Sequence, residues 1–121
     1  MATSPDLRAA LLPVDLYERD DALLLLATLP GVRPEDLDIR LEADRLTVTA
    51  ERHEPAPHGQ SDTVASPIFR ELGSVRWTRE VRLRTPVDAD RIDASLEQGV
   101  LRLTLPKAPE ARPRTIEVKV A

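Results

Sequence analysis

Alternation of apolar and polar residues dominates the chain, and this period of two predicts β-strands rather than helices. No segment of ten or more residues shows a helical period with capping residues at its ends. The alternating stretches lie at 14–17, 37–42, 46–51, 75–83, 92–96, 101–105 and 115–120. Together with an apolar run at 22–29, they predict an all-β fold, an antiparallel β-sandwich of about 7–8 strands.

Prolines and glycines mark where the strands end. The run 22–29 is apolar on both faces, as in a strand at the middle of a sheet, and Pro30-Gly31 stops it. We predict one hairpin over 37–51, turning at 42–45. Gln98-Gly99 predicts a second hairpin turn between the last two strands of the domain.

Two proline-rich segments interrupt this pattern. Residues 53–66 contain few large apolar side chains and predict a long surface loop, which is uncommon in a compact domain unless it has a function. The residues from Pro67 onward add a short strand candidate at its far end. Three prolines make 106–114 an extended linker that cannot join a central strand.

The composition makes several classes of function improbable for this chain. The 121 residues are 31% charged with a net charge of −4, and only 2% are aromatic. A nucleic-acid partner is not expected, because such proteins usually carry a basic surface or aromatic rings for base stacking. The longest apolar run is far shorter than the roughly 20 residues that a membrane-spanning helix needs. With no cysteine in the chain, we expect a cytoplasmic protein without disulfides or thiolate chemistry.

Catalytic and metal-binding signals are weak. The sequence has no nucleophile elbow, phosphate-binding glycine loop or dinucleotide fingerprint. His53 and His58 both fall in the proline-rich loop, where Glu54 or Asp62 would have to complete a metal site. We interpret both histidines as solvated loop residues, and we expect no enzyme, no metal and no cofactor.

Arg79 stands out because it occupies the apolar register of its strand, between Trp77 and Val81. A buried guanidinium without a partner would cost several kcal/mol, so it needs a carboxylate or a carbonyl oxygen, from this chain or from another. The alternative is that the side chain extends along the surface to reach water at a sheet edge.

The C-terminal segment is a second unusual feature. Ile116 and Val118 lie on one side of a short predicted strand that follows the proline linker. Such a segment can add to a sheet edge and insert its two apolar side chains into a groove. The alternative is that it completes its own sandwich.

Several motifs together resemble the small heat-shock protein family, which is built on the α-crystallin domain. They are Pro13-Val14-Asp15-Leu16-Tyr17-Glu18, Leu29-Pro30-Gly31-Val32, Glu35-Asp36-Leu37, Leu46-Thr47-Val48 with Glu51-Arg52, Ala94-x-Leu96-x-x-Gly99-Val100-Leu101, Leu105-Pro106-Lys107 and Ile116-x-Val118. Their order and spacing cover about 13–120 and are specific, although each piece alone is weak. The resemblance departs at Leu83-Arg84, where members usually have Leu-Pro, and in the N-terminal arm, which is usually longer than the residues before Pro13.

The resemblance implies an ATP-independent chaperone, a holdase that binds partly unfolded client proteins and prevents their aggregation. It implies a homodimer formed by strand exchange, as a unit of larger oligomers. The domain would span 13–107 with an exchange loop at 53–74, between a short N-terminal arm at 1–12 and a C-terminal extension at 108–121. The implied dimer-interface residues are Pro67, Ile68, Phe69, Arg70, Glu71 and Arg79. The implied C-terminal anchor residues are Ile116 and Val118, and the groove that receives them or a client would be lined by Ile39, Leu41, Leu101 and Leu103.

Two other functions fit a sandwich of this kind. One is a co-chaperone domain that acts with an ATP-driven chaperone, although such domains generally lack the exchange loop and the C-terminal anchor. The other is an immunoglobulin-like adhesion module, which the ordered motifs do not favour.

Overall fold

Two four-stranded sheets form a sandwich in the computed structural model, which describes residues 7–54 and 65–111. These two stretches contain eight strands, three short 3-10 turns and no α-helix. The strands are β1 (Arg8–Leu11), β2 (Val14–Glu18), β3 (Ala22–Thr28), β4 (Leu37–Glu42), β5 (Arg45–Arg52), β6 (Val75–Arg82), β7 (Asp93–Glu97) and β8 (Val100–Pro106). The predicted all-β sandwich is confirmed.

The strand order is β1-β6-β5-β4 in the first sheet and β2-β3-β8-β7 in the second. Every pairing is antiparallel except that of β1 with β6, which is parallel. The doubly apolar strand β3 lies between β2 and β8 as its sequence predicts, and its core face is buried while Leu24 and Leu26 on its outer face are half-buried.

The core lies between the two sheets and is almost entirely aliphatic. Its fully buried side chains come from the inner strands β3, β5 and β8, and from Leu12 and Leu29 in the connections. The edge strand β4 and the inner strand β6, whose outer side only the short β1 covers, contribute half-buried residues at alternate positions. Strands β3, β5 and β8 therefore form the centre of the core, and the edge strand β4 keeps apolar atoms within reach of solvent.

The two predicted hairpin turns are present. Ala43 has a φ of +55° in the turn between β4 and β5. Gln98 and Gly99 have φ values of +51° and +78° between β7 and β8, the combination that two-residue hairpins require. A Cβ at Gly99 would lie 3.5 Å from the Cα of Pro30, so this turn also packs closely on the end of the β3 connection.

Strand β1 is a feature that the sequence analysis did not predict. Residues 8–11 were assigned to an N-terminal arm, yet they pair with 75–78 of β6, and Leu12 is fully buried in the core. A four-residue strand next to a distant partner leaves little local signal, because its pairing is set by the sheet it joins. The predicted strand at 115–120 lies outside the described residues.

Candidate functional site

Four strands of the sandwich form its sheet edges: β1 and β4 in one sheet, β2 and β7 in the other. Only Leu12 and Pro13 connect β1 to β2, so these two edges lie together at what we call the β1–β2 end. The edges β4 and β7 then lie together at the opposite, β4–β7 end. Sheet edges present unpaired backbone groups, and they are the natural places for another chain to bind.

The segment 67–71, which we call the exchange segment, is exposed and forms no strand within the single chain. The side chains of Ile68 and Phe69 are 95% and 77% exposed, and Leu72, the residue after the segment, is 68% exposed. A concentration of large exposed apolar side chains is typical of an interaction site. The sequence analysis named Ile68 and Phe69 but missed Leu72, which follows the predicted strand.

Polar contacts at its base fix the C-terminal end of the exchange segment. An Arg52 guanidinium nitrogen donates to the Gly73 carbonyl, and the Glu54 backbone N–H donates to the Ser74 hydroxyl over 3.0 Å. The side chains of Arg70 and Glu54 form an ion pair. Two of these contacts tie the end of β5 to the residues just before β6, so the apolar side chains are presented from a base held by polar contacts.

Gly31 makes room for the arginine at this base. A Cβ at position 31 would approach the Arg52 Cδ to 2.9 Å, and Gly31 has a φ of +78°, which side-chain-bearing residues rarely adopt. The Arg52 Nε is buried without a hydrogen-bond partner among the described residues. Gly31 and Arg52 are 21 positions apart in the chain. Arg52 can pack against position 31 because glycine leaves empty the space that a Cβ would fill.

Strand β2 offers apolar side chains on both of its faces. Leu16 lies opposite Leu25 on the core side and Tyr17 lies opposite Leu24 on the outer side. Both Leu16 and Tyr17 are more than 40% exposed because β2 pairs only with β3 among the described strands. The sequence analysis recognised β2 as the first strand, but period-two alternation does not reveal which strand lies at an edge.

Arg79 points inward and is half-buried, as its position in the apolar register predicts. Its Nη1 donates a hydrogen bond of 3.3 Å to the carbonyl oxygen of Leu12. Of the expected alternatives, a carboxylate or a carbonyl oxygen from this chain or another, the structure shows a carbonyl of the same chain, at the corner that joins β1 to β2. Through this contact, Arg79 fixes the position from which the β2 edge starts.

At the β4–β7 end, the predicted groove residues separate into two groups. Ile39 and Leu41 are half-buried on β4 and pack against the edge of the core. Leu101 and Leu103 are 0% and 1% exposed, because β8 lies between β3 and β7 rather than at an edge. These two leucines are therefore not accessible to a bound segment, whereas Leu96 on the edge strand β7 is half-buried. The groove itself stays a prediction.

The C-terminal extension starts from a fixed point. The Lys107 Nζ lies 2.8 Å from a Glu18 carboxylate oxygen, and the side chain of Lys107 is 7% exposed. The Lys107 backbone N–H also donates to the carbonyl of Asp21. The anchor residues Ile116 and Val118 lie outside the described residues.

One exposed ion pair, between Arg82 and Asp44, shifts the pKa values of both of its groups. Arg82 donates a hydrogen bond of 2.9 Å to Asp44, and this bond is the main cause that lowers the pKa of the Asp44 carboxyl group. The same pair raises the pKa of Arg82. The contact ties the turn between β4 and β5 to the end of β6, although solvent screens a pair at this surface.

Within 7–54 and 65–111, no group of three or more histidine, aspartate or glutamate residues could hold a metal ion. The His53 Nε2 lies 3.2 Å from a Glu51 carboxylate oxygen, whereas His58 and Asp62 lie outside the described residues. No helix in that part of the chain is long and apolar enough to cross a membrane.

A model of the Hsp20/alpha crystallin family matches residues 15–119 of the chain. The chain belongs to this family. Its members are the small heat-shock chaperones, which are not known as enzymes. The resemblance inferred from the motifs is therefore confirmed.

Individual proteins give the same result. The 18 kDa antigen 2 of Mycobacterium avium is 36% identical over 111 residues, which is 92% of this chain and 76% of that protein. The 18 kDa heat shock protein of Streptomyces albus G is 33% identical over 112 residues, covering 92% and 75% of the two chains. A solved small heat-shock protein from Xylella fastidiosa superimposes with a TM-score of 0.64 at 32% identity, over 92% of this chain and 98% of that one.

Proposed function

We propose that this member of the Hsp20/alpha crystallin family acts as an ATP-independent holdase that binds partly unfolded proteins and keeps them from aggregating. The observation that carries the proposal is the concentration of exposed large apolar side chains at one end of an otherwise charged sandwich. They are Leu11, Leu16, Tyr17, Ile68, Phe69 and Leu72. Aggregation proceeds through uncovered strand edges and apolar segments, which are the groups that such a surface binds.

Part of this surface serves self-association in our proposal. The exchange segment of one subunit adds to the free edge of β2 in a second copy, which gives a homodimer. Both surfaces are exposed and apolar, and one supplies an extended segment while the other supplies an edge with unpaired backbone groups. Arg79 supports this interface through the Leu12 carbonyl at the start of β2. The exchange loop would again span 53–74 within a domain of 13–107.

The β4–β7 end is the proposed groove for the C-terminal anchor. Ile39, Leu41 and Leu96 lie half-buried on the two edge strands and offer apolar surface that is too small for a permanent interface. Two aliphatic side chains such as Ile116 and Val118 contribute roughly 3–6 kcal/mol on full burial, before the cost of ordering the extension is subtracted. A single contact of this kind is weak and exchanges with client segments, while several together hold a larger oligomer.

The co-chaperone alternative is less well supported. A domain that only docks on an ATP-driven chaperone has no need for an exposed exchange segment on a base held by polar contacts. Assignment to the cytoplasm stays a prediction from the sequence.

Light scattering of heated citrate synthase, with and without the protein and in the absence of nucleotide, tests the holdase proposal. We expect scattering to be suppressed at about one subunit per client molecule, because each dimer offers a limited apolar surface. Undiminished scattering at a tenfold excess would contradict the proposal. An equal mass of lysozyme serves as the control for nonspecific crowding.

A further inference from the structure

Strand β1 covers the outer edge of β6 while contributing no side chain of its own to the core. All four residues of β1, Arg8–Leu11, are exposed. They pair with 75–78 in parallel, which is slightly less stable per residue than antiparallel pairing. The strand is therefore held by backbone hydrogen bonds and by its ends.

The contacts at the two ends are unequal. At the N-terminal end, the Arg8 backbone N–H donates to the Ser74 carbonyl over 2.9 Å, and its side chain donates to the carbonyl of Leu72 over 3.3 Å. The side-chain contact is exposed and easily exchanged for water, whereas the backbone bond joins the exposed Arg8 to Ser74, which is 7% exposed. At the C-terminal end, Leu12 is fully buried, its N–H donates to Thr78 and its carbonyl accepts from Arg79. Leu12 is thus a fixed hinge, and the four residues before it form the part that can detach.

Detachment of β1 exposes backbone N–H and C=O groups on the outer edge of β6, which pair with no other described strand. On its other side, β6 pairs with β5, so its outer edge over 75–78 is free once β1 leaves. The inward side of this edge carries Val75 and the half-buried Trp77, and Ala10 lies opposite Trp77 in register. The uncovered edge accepts an extended segment with a small residue opposite Trp77.

We propose that the outer edge of β6 is a client-binding site that β1 covers at rest, and that β1 swings away on the Leu12 hinge to admit an extended apolar client segment. This inference rests on the proposed holdase function. Local opening of an edge strand with no core side chains requires much less free energy than global unfolding. A minor open state is sufficient, because a ligand that binds only that state shifts the population towards it.

A disulfide between β1 and β6 tests the proposal directly. Ala9 and Arg76 are paired in register and both are exposed. Neighbouring strands lie about 4.8 Å apart, within the range that a disulfide spans. Because the chain has no cysteine, the variant Ala9→Cys/Arg76→Cys can form only the engineered bond within one subunit. The same protein, reduced and then alkylated, serves as its open counterpart.

The oxidised variant should lose most of its suppression of citrate synthase aggregation, and the alkylated form should retain it, while both remain dimers by sedimentation. A control disulfide from Arg40→Cys/Thr47→Cys joins β4 and β5, which are paired in any case, and should leave suppression unchanged. Equal suppression by the oxidised and alkylated β1 variants would overturn the inference and leave the holdase proposal standing. No suppression by the unmodified protein would overturn both. No suppression by the alkylated variant, when the unmodified protein suppresses aggregation, would overturn the inference alone.

Hydrogen exchange on the alkylated variant provides a second measurement. Addition of permanently unfolded, carboxymethylated α-lactalbumin should slow exchange in 75–78 and speed it in 8–11, because the client replaces β1. Unchanged exchange in both segments at saturating client would also overturn the inference.

Discussion

The two ends of the sandwich expose their apolar residues to different degrees. At the β1–β2 end, large side chains such as Tyr17 and Phe69 are exposed by more than half of their surface. At the β4–β7 end, Ile39, Leu41 and Leu96 are half-buried against the core. A side chain that is mostly exposed gains a large area on association, whereas a half-buried one gains little.

In our proposal, this difference separates a strong contact from a weak one within a single domain. The exposed apolar side chains and extended segment of the β1–β2 end would form the dimer, and the half-buried side chains of the β4–β7 end would receive the two aliphatic anchor residues. Substitutions at the β1–β2 end should therefore cost much more binding free energy than substitutions at the β4–β7 end.

The largest effect is expected from Ile68→Ser with Phe69→Ser. Removal of two side chains that become central in the dimer should raise the dimer dissociation constant by about 100-fold or more, since each 1.4 kcal/mol is a factor of ten. Sedimentation across a concentration series measures the constant. Arg102→Ser, at an exposed position on the outer face of β8, is the matched control and should leave it unchanged. A double variant that dimerises like the control would contradict the assignment of the exchange segment.

A smaller effect is expected at the other end from Leu96→Ser. This change should weaken binding of a labelled peptide with the sequence of residues 112–121 by about tenfold, because one partly buried aliphatic contact is lost. Fluorescence anisotropy measures the affinity, and the dimer dissociation constant should stay within about twofold of the original. A peptide with Ile116→Ser should bind poorly to the unmodified protein. If Leu96→Ser bound the peptide normally, the groove would have to lie elsewhere.

The smallest effect concerns the Asp44–Arg82 pair, which holds the β4–β5 turn to β6 and so supports the groove edge. Its hydrogen bond lowers the pKa of the folded Asp44 below the unfolded value. The stabilisation is therefore fully present above the ordinary aspartate pKa of about 3.9 and disappears as the pH falls through the folded value. Thermal melts between pH 7 and pH 2 should show a slightly shallower acid loss of stability for Asp44→Asn. Identical acid profiles for the two proteins would show that the Asp44–Arg82 pair does not contribute to the stability of the fold.

Strand positions were largely predictable because alternation reports directly which side chains face the core. The pattern placed β2 to β8 and both hairpin turns, and it placed Arg79 on the inward face, while only the structure identified the Leu12 carbonyl as its partner. It did not place β1, since four exposed residues that pair with a strand more than 60 positions away carry no periodic signal. It also did not separate Leu101 from Leu96: both are apolar in alternating strands, and only the order of strands in the sheet shows which one is accessible.

The sequence by itself determined the fold class, the family and the absence of cysteine chemistry. These depend on local alternation, turn residues and composition, which one chain displays without its partners in space. Tertiary structure decided which strands became edges, why Gly31 must leave room for Arg52, and that Leu12 forms a buried hinge for β1. The physical reason is that exposure at an edge is set by which strands pair, and pairing between distant segments depends on the whole sheet rather than on the residues of either strand.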